Sequence, residues 1–147
     1  MLADKAAIAK VIPHAGSMSL LDGVLECNAQ RIRCISSTHR NADNPMRSGN
    51  ELSALCAIEY AAQAMAVHGV MGGQIDKKPR AGFLASLRDV SCNSMRMDTL
   101  QDDLIIDAEK LMGDEARVIY QFSVHAGQNE IIGGRATVVL DADKAAA

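Results

Sequence analysis

Apolar and polar positions divide the chain into blocks. Residues 52–71 (LSALCAIEYAAQAMAVHGVM) are apolar almost all the way round, with alanine the commonest residue. A helix that is apolar on every side is a buried one. The run is long enough to cross a bilayer, but Glu59, Gln63 and His68 lie inside it, and ionisable groups are costly at membrane depth. The pattern therefore predicts a central helix enclosed by the rest of the chain, with no membrane contact. Buried acids are rare unless paired or functional, which singles out Glu59.

The flanking blocks read as shorter elements. Residues 3–11 (ADKAAIAKV) form a short helix that Ile12-Pro13 stops, because proline lacks an N–H and disfavours helix in the residue before it. A polar turn leads into an apolar strand at 19–27. At 30–37 the chain alternates, with Ile32, Cys34 and Ser36 against Arg31, Arg33 and Ile35, the period of a half-buried strand. Residues 39–51 are a loop by composition. The long helix starts after a cap at Asn50 or Ser53 and ends at the glycines between 69 and 73. Strands follow at 80–92, with Gly82 marking a bulge, at 104–112, at 117–125 and at 131–140. In 117–125, Val118, Tyr120, Phe122 and Val124 share one face, and Ile119, Gln121, Ser123 and His125 the other. Three strands at hairpin spacing make an antiparallel meander. The chain reads as one domain over 1–147, of the α+β class, with an antiparallel sheet wrapped around one long central helix. The sheet's other face needs cover, which dimerisation supplies.

Composition narrows the function classes. The 147 residues carry a formal net charge of -3 with 22% charged and 48% hydrophobic residues, an ordinary globular balance. No basic stripe suits nucleic acid. Aromatic content is 3% with no tryptophan, which argues against a base- or sugar-stacking platform. Cys27, Cys34, Cys56 and Cys92 form no CxxC pair and have no histidine at zinc-finger spacing. They read as reduced thiols of a cytoplasmic protein without a structural metal. No secretory signal pattern opens the chain.

Two stretches carry a resemblance. Ile12-Pro13-His14-Ala15-Gly16-Ser17-Met18-Ser19-Leu20-Leu21-Asp22-Gly23-Val24 resembles the opening of the hotdog-fold 3-hydroxyacyl-acyl-carrier-protein dehydratases, and Ile58-Glu59-Tyr60-Ala61-Ala62-Gln63 is similar to their active-site helix. With His68 and Gly82-Phe83-Leu84 added, the closer match is a divergent branch associated with aryl polyene pigment synthesis. The resemblance covers most of the chain. It implies a hotdog fold and removal of water from a 3-hydroxyacyl thioester carried on the phosphopantetheine arm of acyl carrier protein. It implies no metal and no organic cofactor, and a homodimer or higher homo-oligomer. Glu59 then maps onto the catalytic acid. Its apolar neighbours Ala57, Ile58, Ala61 and Ala62 disfavour the charged carboxylate, which suits an acid that holds its proton. The helix N-terminus, through the N–H groups of Ala54 and Leu55, is placed to polarise the thioester carbonyl.

One feature of the resembling family is missing. Its catalytic histidine lies on the loop ahead of the helix, and the same spacing counted back from Glu59 reaches Pro45 here. His14, in the matched Pro-His pair, leads as the replacement base; the alternative is a histidine that caps its turn. His39 precedes the loop, which would have to present it. His68 lies nine residues beyond Glu59, on the opposite face of the helix, and reads as a packing or end-of-helix residue. His125 falls on the polar, solvent-facing side of its strand. Gln63 is one turn after Glu59 on the same face, where it orients the carboxyl group, lines the acyl tunnel or ties helix to sheet. Met18, Met46 and Met65 are candidates for an adaptable acyl pocket. Arg80, Arg88 and the cluster at 77–80 offer positive charge to an acidic carrier, although a solvated loop explains that cluster equally. Two other readings stay open: a hotdog thioesterase that uses the helix carboxylate to activate water, and a non-catalytic carrier-binding or partner subunit.

Overall fold

Among the described residues, seven strands form one antiparallel sheet, and apolar and polar residues alternate along several of them. In the computed structural model, residues 1–12, 18–72 and 82–140 are described. In chain order the elements are β1 (Ala3–Asp4), α1 (Lys5–Val11), β2 (Gly23–Cys27), β3 (Arg31–Ser36), α2 (Ala57–Met71), β4 (Gly82–Cys92), β5 (Leu104–Gly113), β6 (Arg117–Ala126) and β7 (Asn129–Leu140). The strand order across the sheet is β1-β2-β3-β5-β6-β7-β4. The meander β5-β6-β7 is present as expected. β4, which precedes it in the chain, pairs instead with the far side of β7, with Arg88 opposite Arg135.

The inner face of the sheet is set by the residues that alternate inward. Ile32 and Cys34 of β3, Leu104 and Ile106 of β5, and Phe122 and Val124 of β6 are all buried. Against them α2 lays Ala57, Tyr60, Ala61, Ala64, Met65 and Val67, and it contacts β3, β5 and β6. Small alanines let helix and sheet approach closely, and Tyr60 and Met65 fill what remains. This is the hotdog architecture, an antiparallel sheet curled around one long helix. The stretch Ala54–Met71 is long and apolar enough to cross a membrane by composition, but its packing against the sheet makes it a core helix.

Three details correct the expectations. The helix is not enclosed on every side: the sheet covers one flank, while Leu55, Ala66, Gly69 and Met71 are exposed and Ile58, Glu59 and Ala62 are half-buried. A 3-10 turn, Ala54–Cys56, precedes α2, and of the two candidate caps Ser53 is the one used, its Oγ accepting the Leu55 N–H. The bulges of β4 fall at Leu84/Ser86 and Arg88/Ser91, not at Gly82. At the second bulge Asp89 adopts φ +54, a left-handed conformation that bends the strand. There the β4 backbone comes so close to Gly134 that a Cβ would lie 3.1 Å from the Val90 Cα and 3.2 Å from the Arg88 carbonyl.

Candidate functional site

The first turn of α2 points Glu59 along the open flank, and the second turn places Gln63 beside it. Gln63 Nε2 donates to Glu59 Oε1 at 3.2 Å and to the Met18 carbonyl at 2.8 Å, while its Oε1 accepts the Leu20 N–H at 3.0 Å. Gln63 is buried, and both its amide hydrogens and its carbonyl oxygen are used. It therefore orients the carboxylate and ties the helix to segment 18–20, rather than to a strand. Met18 is half-buried and is the first described residue after 13–17; the expected base His14 lies outside the described residues.

Leu20 is held from its other side too. Its carbonyl accepts from Ser36 Oγ at 2.5 Å and from Thr38 Oγ1 at 2.8 Å. Thr38 Oγ1 lies 2.7 Å from the Tyr60 hydroxyl, which receives the Asn44 Nδ2–H at 3.1 Å. Asn44 Nδ2 also donates to the Thr38 carbonyl at 2.9 Å. Because the Thr38 hydroxyl gives its hydrogen to Leu20, Tyr60 donates to Thr38. Burial raises the Tyr60 phenol above its ordinary value, against the lowering effect of the bonds to Thr38 and Asn44, so it stays a donor near neutrality. Tyr60, Thr38 and Asn44 were not singled out from the sequence. The available signal was Tyr60 itself, the one aromatic in the alanine-rich run 52–71.

The N–H groups expected to clamp a carbonyl are both occupied. Ala54 N–H donates to the Met95 carbonyl at 3.0 Å, and Leu55 N–H to Ser53 Oγ at 3.2 Å. Leu55 exposes 59% of its surface and Met95 91%, so this end of the helix presents an apolar rim. Glu59 lines neither the outer-face groove around Arg33 and Asp107 nor the small cavity beside Thr38 and Asn44.

His39, expected to be presentable by its loop, is fully buried: its Nε2 lies 3.0 Å from the Leu100 carbonyl and its Nδ1 has no partner. Desolvation lowers its pKa from 6.5. His68 sits on the far face as expected, bonded through Nδ1 to the Tyr120 hydroxyl at 2.7 Å and through Nε2 to the Asn28 carbonyl at 2.8 Å. His125 is half-buried on the outer face rather than fully solvated. There a groove of about 650 Å³ is lined by Arg33, Asp107, Ser123, His125 and Arg135, among others. His125 Nε2 faces both Ser123 Oγ at 3.1 Å and Asp107 Oδ2 at 3.6 Å. A relay needs the two partners on different ring nitrogens, so these residues are not a nucleophilic triad. Asp107 instead pairs with Arg33 at 2.7 Å.

Among the described residues, no three His, Cys, Asp or Glu side chains are placed to hold a metal ion. Met65 is buried in the core and Met46 half-buried beside it. The cluster at 77–80 lies outside the described residues.

Comparison with known structures supports the architecture. A chain of "The Dehydratase Heterocomplex ApeI:P from Xenorhabdus doucetiae" superposes with a TM-score of 0.78 at 22% identity, over 93% of this chain and 92% of that one. A mutant thioesterase of Pseudomonas aeruginosa gives 0.64 at 6% identity, covering 95% of each chain. Zebra fish thioesterase superfamily member 2 gives 0.64 at 14%, covering 93% and 95%. Among curated proteins there is no match. The family model described as ApeP-like, ApeP dehydratase, matches residues 6–147. A hotdog sheet, a helix carboxylate held by its own glutamine, and a family match over nearly the whole length converge on one assignment: the chain belongs to the ApeP-like dehydratase family.

Proposed function

We propose that the chain is a dehydratase subunit that removes water from a 3-hydroxyacyl thioester borne on acyl carrier protein. The observation that carries this reading is the triple grip of Gln63 on Glu59, Met18 and Leu20, which brings together the two stretches that resemble dehydratases. His14, four residues before Met18, takes the proton from the carbon beside the thioester carbonyl. Glu59 protonates the hydroxyl on the next carbon. The C–O bond breaks, the C=C bond forms and water leaves. The Leu55 N–H exchanges its bond to Ser53 for the thioester oxygen as negative charge grows there. These steps draw on protein groups alone.

A second subunit completes the site. The open flank of α2 carries Glu59 among apolar residues, and its Leu55 and Met95 rim faces outward. A covering chain would form the other wall of an acyl tunnel and desolvate the acid. The structural relative described as a heterocomplex supports this. The covering chain is either a second copy or a related dehydratase subunit.

A second reading has its own observation. Pro45 stands where the resembling enzymes carry their loop histidine, and His39 is buried with its Nε2 on the Leu100 carbonyl. On that basis the chain would bind an acyl carrier or a catalytic partner without turning over substrate. A thioesterase would share the carboxylate but release a free acid. Mass spectrometry of carrier-bound 3-hydroxyacyl chains, with and without a partner subunit, separates all three. The expected result is loss of water. It should fall by about a hundredfold or more in Glu59→Gln and His14→Ala, the range of a lost acid or base. Carrier binding without turnover would favour the second reading.

A further inference from the structure

We propose that the small cavity beside Ser19 is a water site, in which ordered solvent completes the hydrogen bonding of the Ser19 hydroxyl. The site does not depend on the dehydratase reading. Among the described residues, two buried side-chain atoms lack a hydrogen-bond partner, His39 Nδ1 and Ser19 Oγ. Of the two residues, Ser19 lines a cavity of about 100 Å³, which it shares with Lys5, Thr38, Asn41, Asp43, Asn44 and Pro45. Ser19 exposes only 4% of its surface. A buried hydroxyl left unpaired bears the full cost of its desolvation, and native structures pair such groups with protein or with ordered water.

Most of the protein groups around the cavity are already committed. Lys5 Nζ donates to the Ser19 carbonyl at 2.6 Å and to the Leu21 carbonyl at 3.4 Å, and it lies 3.5 Å from Asp22 Oδ1. Thr38 Oγ1 gives its hydrogen to the Leu20 carbonyl and also meets Ser36 Oγ and the Tyr60 hydroxyl. Asn44 Nδ2 donates to the Thr38 carbonyl and the Tyr60 hydroxyl. Pro45 has no N–H to offer. Capacity remains on Asn44 Oδ1, which accepts the Met46 N–H at 2.9 Å and keeps a second lone pair. The exposed side chains of Asn41 and Asp43 add further polar groups.

A bound water needs about two to four polar partners, and the Ser19 hydroxyl with Asn44 Oδ1, Asn41 and Asp43 supplies that number. At about 30 Å³ for each molecule, the cavity takes about three waters. Lys5 and Asp43 oppose each other in charge, so neutral solvent suits the lining better than an ion does. Segment 18–20 is then tied by three means. Gln63 holds the Met18 carbonyl and the Leu20 N–H, Lys5 holds the Ser19 carbonyl, and water joins the Ser19 hydroxyl to the 41–45 loop.

A crystal structure of the full-length chain, at a resolution that places solvent, tests the site directly. The expected result is a water oxygen within about 2.5–3.0 Å of Ser19 Oγ, with a further bond to Asn44, Asn41 or Asp43. Ser19 Oγ bonded to a protein group instead, or no solvent within that distance, overturns the proposal. Thermal unfolding gives a second readout through Ser19→Ala, which removes the hydroxyl and little else. With a water-bonded hydroxyl the midpoint should fall by about 3 °C, the effect of one lost hydrogen bond in a chain of this size. An unpaired hydroxyl would be better removed, so a midpoint that stays level or rises also overturns the proposal.

Discussion

His68 is a neutral ring locked in one tautomer. Asn28 offers only a carbonyl, so Nε2 carries the hydrogen, and Nδ1 must accept from the Tyr120 hydroxyl. Burial pushes the Tyr120 phenol up to about 12, so it stays a donor. Protonating His68 would turn its acceptor nitrogen into a second donor facing Tyr120. Burial lowers the pKa of both His68 and His39 below 6.5. The unfolded chain therefore binds more protons than the folded one between the lowered values and 6.5. Their contribution to stability is fully present above about pH 6.5 and is lost as the pH falls through that value toward the folded pKa. The unfolding free energy from urea titrations should hold steady from pH 8 to 6.5 and then drop, by up to about 1.4 kcal/mol per pH unit for each histidine, with the urea midpoint falling alongside it. His68→Gln should flatten the drop. A midpoint unchanged down to pH 5 would contradict this account.

At the scale of the element, α2 ends where it meets the β2–β3 turn. Gly72 caps the helix with its N–H bonded to the His68 carbonyl. A Cβ there would lie 2.5 Å from the His68 ring and 2.6 Å from the Asn28 carbonyl oxygen. Its φ of -87 is ordinary, so the requirement for glycine is one of space. Gly72→Ala should cost about 1–3 kcal/mol, the usual penalty of overpacking, with a lower thermal midpoint; an unchanged midpoint would show that the junction yields. The long helix and its glycine stop were legible in the sequence because an unbroken apolar run ended by glycines has few alternatives. The faces of β3 and β6 were equally plain, because period-two alternation places Cys34 and Phe122 inward and Arg33 and Ser123 outward. The side of α2 left open was not legible. An alanine-rich helix has nearly the same polarity all round, so only the packing distinguishes Ala64, which is buried, from Ala66, which is exposed. The Tyr60–Thr38–Asn44 cluster was hidden for a related reason. It joins residues up to 22 positions apart, and no local period announces such a contact.

For the whole molecule, the open flank of α2 has a direct test. Ala66 is exposed on the stripe that includes Glu59 and Ala62. An acidic side chain there should leave the isolated fold within about 0.5 kcal/mol, as for an ordinary surface change. Ala66→Glu should keep its thermal midpoint yet abolish capture of a second subunit, measured by light scattering with and without a co-purified dehydratase partner. Capture equal to the parent's would place the interface elsewhere. The resemblance pointed to Glu59 and Gln63, and the hydrogen bonds of Gln63 join that helix to segment 18–20 of the other matched stretch. The occupied N–H groups of Ala54 and Leu55 were not legible, since Met95, which takes one of them, is 41 positions away from Ala54 in the chain.

The position of β4 at the end of the sheet has a consequence for how the protein is made. β4 leaves the ribosome before β5, β6 and β7, yet its pairing partner is β7, the last strand. Until Leu140 has emerged, β4 is an unpaired strand with half-exposed Leu87 and exposed Leu84 and Val90, and long-range pairings of this kind form late because loop closure precedes any gain from contact. Arg88 and Asp89 sit in the middle of that waiting segment. Charges in such a place discourage pairing with neighbouring nascent chains, so the bulge that bends the finished sheet also guards the strand during synthesis.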